Sequence, residues 1–121
     1  MIAKILIVDD SLFMRKQIRN ILSKSGYEIA GEATDGTQAV HLYRELRPDI
    51  VIMDITMPGK NGIEALKAIK EYDYNAKVIM CTALGQQSKL KEAIKVGADD
   101  YIVKPFLAKR VLDSVFRVLE L

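Results

Sequence analysis

Short apolar runs alternate along this chain with longer stretches in which apolar residues recur every three or four positions. The first run is KILIV, Lys4 to Val8. It is followed by SLFMRKQIRNILSKSG, where Phe13, Ile18, Ile21 and Leu22 fall near helical spacing and Gly26 supplies a stop. EIAGEA, Glu28 to Ala33, alternates more weakly and predicts a second strand. DGTQAVHLYRELRP predicts a helix: Asp35 can cap it, Gln38 stands three positions on, and Pro48 lies just past its end. IVIM is the third apolar run and ends on Asp54. A turn-rich loop then leads into NGIEALKAIKEY, where Asn61 and Glu64 have capping-box spacing. KVIMC (Lys77 to Cys81), QQSKLKEAIKVG ending at Gly97, YIV, and LAKRVLDSVFRVLEL complete the alternation.

Strands that alternate with helices predict an α/β domain with a five-stranded parallel sheet covered by helices on both faces. The first, third and fourth runs are apolar throughout, as strands buried on both faces must be. The second is interrupted by Gly31 and Glu32, and the fifth is short, so these two belong at the sheet edges. Right-handed crossovers then favour a doubly wound, flavodoxin-like order 2-1-3-4-5. No linker, repeat or low-complexity segment interrupts the pattern, and residues 1–121 read as a single domain.

Composition narrows the class. Half of the residues are hydrophobic (50%), too many for a disordered chain, and a net charge of +2 gives no sign of nucleic-acid binding. The lone cysteine, Cys81, excludes an internal disulfide and suits a reducing compartment. No apolar run reaches the roughly 18 residues that a membrane span needs. Acids follow the first apolar run directly, unlike a signal peptide, and the expectation is a cytoplasmic protein.

In an open parallel sheet, ligands bind beyond the carboxyl ends of the strands, where the strand order reverses. Asp9 and Asp10 follow the first strand, Asp54 the third, Thr82 the fourth and Lys104 the fifth. Singly, each has an ordinary reading: Asp10 or Ser11 as a helix cap, Asp54 as a turn acid, Thr82 as a strand end, Lys104 as a solvated cation. Together they are harder to dismiss. Two like charges 4 Å apart repel by roughly 4 kcal/mol at an effective dielectric of 20. Three clustered carboxylates need a cation, and a hard divalent ion such as Mg²⁺ prefers such oxygen ligands. His41, the one histidine, reads as a solvated helix residue, and Cys81 as packing. Lys89, Lys91 and Lys95 read as a solvated face or a partner surface.

The segments ILIVDDS, MDITMPGKNG, VIMCTA and GADDYIVKPF, in this order and spacing, resemble the receiver domains of two-component response regulators. The likeness covers the whole chain and is strongest to the stand-alone chemotaxis type. The strand order is a property of that family too. The resemblance implies that Asp54 accepts a phosphoryl group and that Asp9, Asp10, Asp54 and the backbone carbonyl of Thr56 hold Mg²⁺. It implies that Thr82 and Lys104 contact the phosphoryl oxygens, that Tyr101 reports the signalling state, and that Lys104–Pro105 is a cis peptide. The loop after Asp54 must then turn a carbonyl toward the metal, and Pro58, Gly59 and Gly62 are read as its turn residues.

The implied partners are a sensor histidine kinase, a flagellar motor switch protein and a phosphatase. The expected state is a monomer that neither enters a membrane nor binds nucleic acid itself. It would catalyse its own phosphorylation and dephosphorylation without turning over an external substrate. A phosphorelay intermediate and a receiver cut from a transcription regulator are the alternatives within the family. Outside it, a flavin-binding domain would want a glycine-rich phosphate loop where this chain has DDSLFMR. An aspartate-nucleophile phosphatase would usually carry Asp-x-Asp, not adjacent Asp9 and Asp10.

Overall fold

The computed structural model describes residues 2–121. Ten elements alternate strictly: β1 (Lys4–Val8), α1 (Leu12–Lys24), β2 (Glu28–Ala33), α2 (Gly36–Leu46), β3 (Ile50–Asp54), α3 (Gly62–Tyr72), β4 (Val78–Ala83), α4 (Gln87–Val96), β5 (Asp100–Lys104) and α5 (Ala108–Leu119). The strands form one parallel sheet in the order β2-β1-β3-β4-β5. The second and fifth strands therefore take the edges, as expected, although β5 extends beyond YIV and is as long as β1 and β3.

The sheet divides the core in two. Ile5, Ile7, Ile50, Ile52, Ile79, Cys81 and Ile102 face α1 and α5, meeting Ile18, Leu22, Val111 and Val115. Leu6, Val8, Val51, Met53, Val78 and Met80 face the other way, against Val40, Tyr43, Leu66, Ile69 and Ala93. Alternation along each strand sends successive side chains to opposite layers. Each fully buried Leu or Ile contributes about 1.5–3 kcal/mol, and the buried stretches of the three central strands carry no polar residue before their C-terminal ends.

The helix starts follow the predicted chemistry. Ser11 Oγ accepts from Met14 N–H at 3.2 Å, so Ser11 rather than Asp10 caps α1. Asp35 caps α2 through Gln38 N–H at 2.8 Å, and the Asn61–Glu64 capping box is complete at the start of α3. Two expectations shift. The fourth strand runs on to Ala83, so Thr82 lies within it. Phe13 was assigned to the buried stripe of α1 but is 75% exposed; it lies one position, about 100° of helix, from the stripe through Met14, Ile18, Ile21 and Leu22.

At the outer edge, Ser114 Oγ donates to Asp100 Oδ2 at 2.6 Å, and Arg117 pairs with the same carboxylate, joining β5 to α5. Burial works to raise the Asp100 pKa, but these two donors outweigh it and hold the carboxyl below its usual range.

Candidate functional site

Asp9 and Asp54 stand side by side because β1 and β3 are neighbours in register, with Val8 opposite Met53. Asp9 continues the face of Ile5 and Ile7, and Asp54 that of Ile50 and Ile52. Lys104 lies two strands from Asp54, on β5, and its stem crosses the end of β4 to reach it. On that face β4 presents the small Cys81 and Ala83, which leave the stem room. The ammonium lies 2.9 Å from Asp9 Oδ2 and 3.2 Å from Asp54 Oδ2. Asp10, the next residue along the chain, is exposed at the rim. One carboxylate oxygen from each of Asp9, Asp10 and Asp54 fits within a 4.8 Å span.

Burial pushes the Asp54 carboxyl above its ordinary pKa; the Lys104 ammonium pulls against this, and the neighbouring Asp9 charge adds to the rise. Burial also acts to lower the Lys104 pKa, but its hydrogen bond to Asp9 and the charges of Asp54 and Asp9 outweigh it, and the net shift is upward. Beneath them the Cys81 thiol is pushed up to about 12 by burial, which leaves it an inert packing group. The lysine offsets one carboxylate. Two formal negative charges remain at one mouth, and a divalent cation with oxygen ligands matches that deficit in charge and in donor type.

Backbone groups hold the cluster in place. Asp9 Oδ1 accepts from Ser11 N–H at 2.9 Å, and Asp54 Oδ1 accepts from Thr56 N–H at 3.3 Å. Arg15, one turn into α1, donates to the Asp9 carbonyl at 2.7 Å and to Glu32 on β2 at 2.9 Å. The loop after β3 turns at Gly59, whose φ of +72° is the left-handed conformation glycine tolerates. Gly62 serves a different end from the turn role assigned to it. It is the first residue of α3, and its missing side chain lets the helix start press against the backbone of Asp54 and Ile55.

The structure thus gathers Asp9, Asp10, Asp54 and Lys104 at one point. Thr82, buried at the end of β4, is joined to Thr56 through the Gln86 carboxamide. Tyr101 pairs with Met80, while Val103 pairs with Thr82, so Tyr101 sits one strand over and two residues back on the same face. It is 38% exposed. Lys104–Pro105 is cis. His41 lies on the surface beside Glu45, and Lys89, Lys91 and Lys95 are exposed on α4. Arg15 and Gln86 escaped the sequence reading. For Gln86 a signal existed: glutamine is an unfavourable helix N-cap, and it occupies that position in α4.

The family described as the response regulator receiver domain matches residues 5–116. The chain belongs to that family. Among receiver proteins, the chemotaxis protein CheY of Thermotoga maritima is 56% identical over 115 residues, covering 95% of this chain and 96% of the relative. CheY of Bacillus subtilis is 55% identical over 116 residues, covering 96% of this chain and 97% of the relative. A solved CheX–CheY–BeF3–Mg²⁺ complex from Borrelia burgdorferi contains a chain of 43% identity that superposes with a TM-score of 0.91, over 96% of this chain and 88% of that one. As a receiver, the chain is a signalling module of two-component systems. Among the described residues, no helix is long and apolar enough to cross a membrane.

One consequence of the charge balance can be measured without any ligand. Lys104 pairs with Asp9 and Asp54 but offsets only one of the three carboxylates, so Asp10 adds to a surplus of negative charge. Asp10→Asn is expected to raise the melting temperature of the metal-free protein by a few degrees and to weaken Mg²⁺ binding. Calorimetric melting with and without Mg²⁺ tests both halves. A lower metal-free melting temperature with unchanged Mg²⁺ affinity contradicts the account.

Proposed function

We propose that this receiver is a phosphorylation-activated switch in chemotaxis, with Asp54 as the phosphoacceptor and a sensor histidine kinase as the donor. The observation that carries the reading is the mouth itself: a buried Asp54 carboxylate flanked by Asp9 and Asp10, with the Lys104 ammonium between Asp9 and Asp54. The chemotaxis assignment follows from the full-length likeness to CheY proteins.

Asp9, Asp10, Asp54 and the Thr56 carbonyl would hold Mg²⁺, which supplies positive charge to the oxygens of the transferring group. A carboxylate oxygen of Asp54 forms a bond to phosphorus as the P–N bond to the donor imidazole breaks. The imidazole nitrogen keeps the electron pair and takes up a proton. β3 fixes the nucleophile, so the protein's share of the work is positioning and charge stabilisation. The acyl phosphate carries about −1.5 to −2 charge, against −1 for the carboxylate it replaces. Lys104 is drawn toward the new oxygens, and the Thr82 hydroxyl donates to one of them. Thr82 vacates space on the face it shares with Tyr101, and the Tyr101 ring turns inward to fill it. The surface of α4, β5 and α5 then changes its affinity for a flagellar motor switch protein, a population shift between two states. A phosphatase resets the switch. The protein works in the cytoplasm as a monomer, and it promotes its own phosphorylation without turning over an external substrate.

The test is intact-mass measurement after incubation with a small acyl-phosphate donor. One phosphoryl group is expected with Mg²⁺ and none with a chelator. Labelling that ignores the metal overturns the reading.

The lifetime of the phosphorylated state follows from two neighbours of the site. In receivers, the residues two beyond the phosphoacceptor and two beyond the switch threonine flank the path of the hydrolytic water; here they are Thr56 and Leu84. Leu84 is 76% exposed and offers no group to orient a water. Self-dephosphorylation is therefore slow. Thr56→Asn with Leu84→Glu is expected to hasten it about tenfold, or ~1.4 kcal/mol of barrier. Timed phosphate release at equal Mg²⁺ checks this, and equal rates count against it.

A further inference from the structure

Gln86 occupies the N-cap position of α4, with φ −108° and ψ 37°, yet its side chain makes no capping bond. A helix start leaves several N–H groups without acceptors, and a side chain at this position ordinarily serves them. The Gln86 carboxamide turns back across the mouth of the site instead. Its Oε1 accepts from Ala83 N–H at 3.3 Å and from the Thr82 hydroxyl at 3.3 Å. Its Nε2 donates to Thr56 Oγ1 at 2.9 Å. The orientation of the amide is set by Ala83: flipped, Nε2 would face a backbone N–H, donor against donor. One side chain thus ties together the loop after β3, the end of β4 and the first turn of α4.

We propose that Gln86 is a positioning residue that holds the Thr82 hydroxyl in its resting place, a latch that phosphorylation must open. The inference rests on the reading of Asp54 as phosphoacceptor. A hydroxyl has one proton to donate. At rest that proton serves Gln86 Oε1 or the Ala83 carbonyl, also 3.3 Å away. To reach a phosphoryl oxygen, Thr82 must give both up. The charged acceptor is the stronger one and wins the exchange, but the resting bonds are subtracted from the gain. Removing the Gln86 acceptor removes part of that subtraction and leaves the activated arrangement easier to reach. Because Gln86 begins α4, opening the latch also frees the first turn of that helix. The site thereby gains a second route to the α4 surface beside the movement of Tyr101.

The test uses beryllofluoride, a phosphoryl mimic, bound in the presence of Mg²⁺ and measured by calorimetry on the intact chain. Gln86→Met keeps the length of the side chain and loses its polar atoms. It is expected to tighten beryllofluoride binding about three- to tenfold and to shift the Thr82 methyl resonance of the unliganded protein. In a Thr82→Val background, where the hydroxyl is already gone, Gln86→Met is expected to change the affinity by less than about twofold. Equal or weaker binding by Gln86→Met with an unmoved Thr82 resonance overturns the latch. Tightening that persists in the Thr82→Val background overturns it too, since the effect would then not pass through Thr82. Wild-type protein that binds no beryllofluoride overturns the phosphoacceptor reading itself, a different failure from either of these.

Discussion

Asp54→Asn is expected to lower labelling by a small acyl-phosphate donor by two orders of magnitude or more, equivalent to about 2.7 kcal/mol or more of barrier. An amide has no anionic oxygen to attack phosphorus, and its resonance leaves little nucleophilicity on either terminal atom. The substitution keeps the packing of the site. The side chains match in shape, Thr56 N–H keeps an oxygen to bind, and Lys104 loses its 3.2 Å pairing with residue 54 but retains its 2.9 Å contact to Asp9. Folding does not suffer either, and the sign follows from the pKa. Burial raises the Asp54 carboxyl in the folded chain, so the folded state holds this proton more tightly than the unfolded state. Its ionised form therefore weighs against folding at neutral pH, and stability gains as pH falls through the folded pKa. Replacing the charge by an amide removes that burden. The metal-free variant should melt no lower than the parent while it fails to label. Mg²⁺ affinity should also fall, because one of three carboxylate ligands is lost. Labelling at the parental rate would reassign the acceptor to Asp9 or Asp10, and peptide mass mapping of the acid-quenched product would say which.

The two halves of the protein were legible to different degrees, for physical reasons. The edge strands were legible because Gly31 and Glu32 do not suit burial on both faces, and right-handed crossovers then favoured the observed order, which the family resemblance also implied. The membership of the acidic cluster followed from topology, because strand ends on one side of a parallel sheet must converge. How the cluster is neutralised did not follow. That Lys104 bridges Asp9 and Asp54 depends on the register of β5 against β4 and on the small Cys81 and Ala83 beneath its stem, and neither can be weighed before the strands are aligned. Gln86 was missed because it stands at the start of the predicted fourth helix and carries neither charge nor a place in the apolar periodicity. Its contacts depend on the turn at Gly85, which swings residue 86 back over residues 82 and 83. Phe13 was misplaced by a count of spacing that ignores which side of the stripe a residue falls on.

Gly62→Ala is expected to cost about 3 kcal/mol of stability, at the upper end of overpacking penalties, and to impair the site as well. A Cβ at residue 62 would stand 2.1 Å from the Asp54 carbonyl oxygen, 2.8 Å from Ile55 Cα and 2.9 Å from the Asp54 carbonyl carbon. All three obstacles are backbone atoms of β3 and the turn after it, so no side-chain rotation relieves them. Gly62 N–H donates to the Ile55 carbonyl at 2.8 Å, and any retreat of α3 stretches that bond. The α3 start can move only by dragging Leu66 and Ile69 out of the core, or β3 can shift and carry Asp54 out of line with Asp9 and Lys104. For a domain of this size the penalty lowers the melting temperature by about 10 °C, and Mg²⁺-dependent labelling should drop with it at temperatures where the variant is still folded. Gly59→Ala is the contrasting case. Gly59 has φ +72° but nothing within 4 Å of a Cβ, so only the backbone penalty of about 1 kcal/mol applies. If Gly62→Ala melts within a degree or two of the parent, or no lower than Gly59→Ala, then the close approach of α3 to Asp54 is not what holds the phosphoacceptor strand in place.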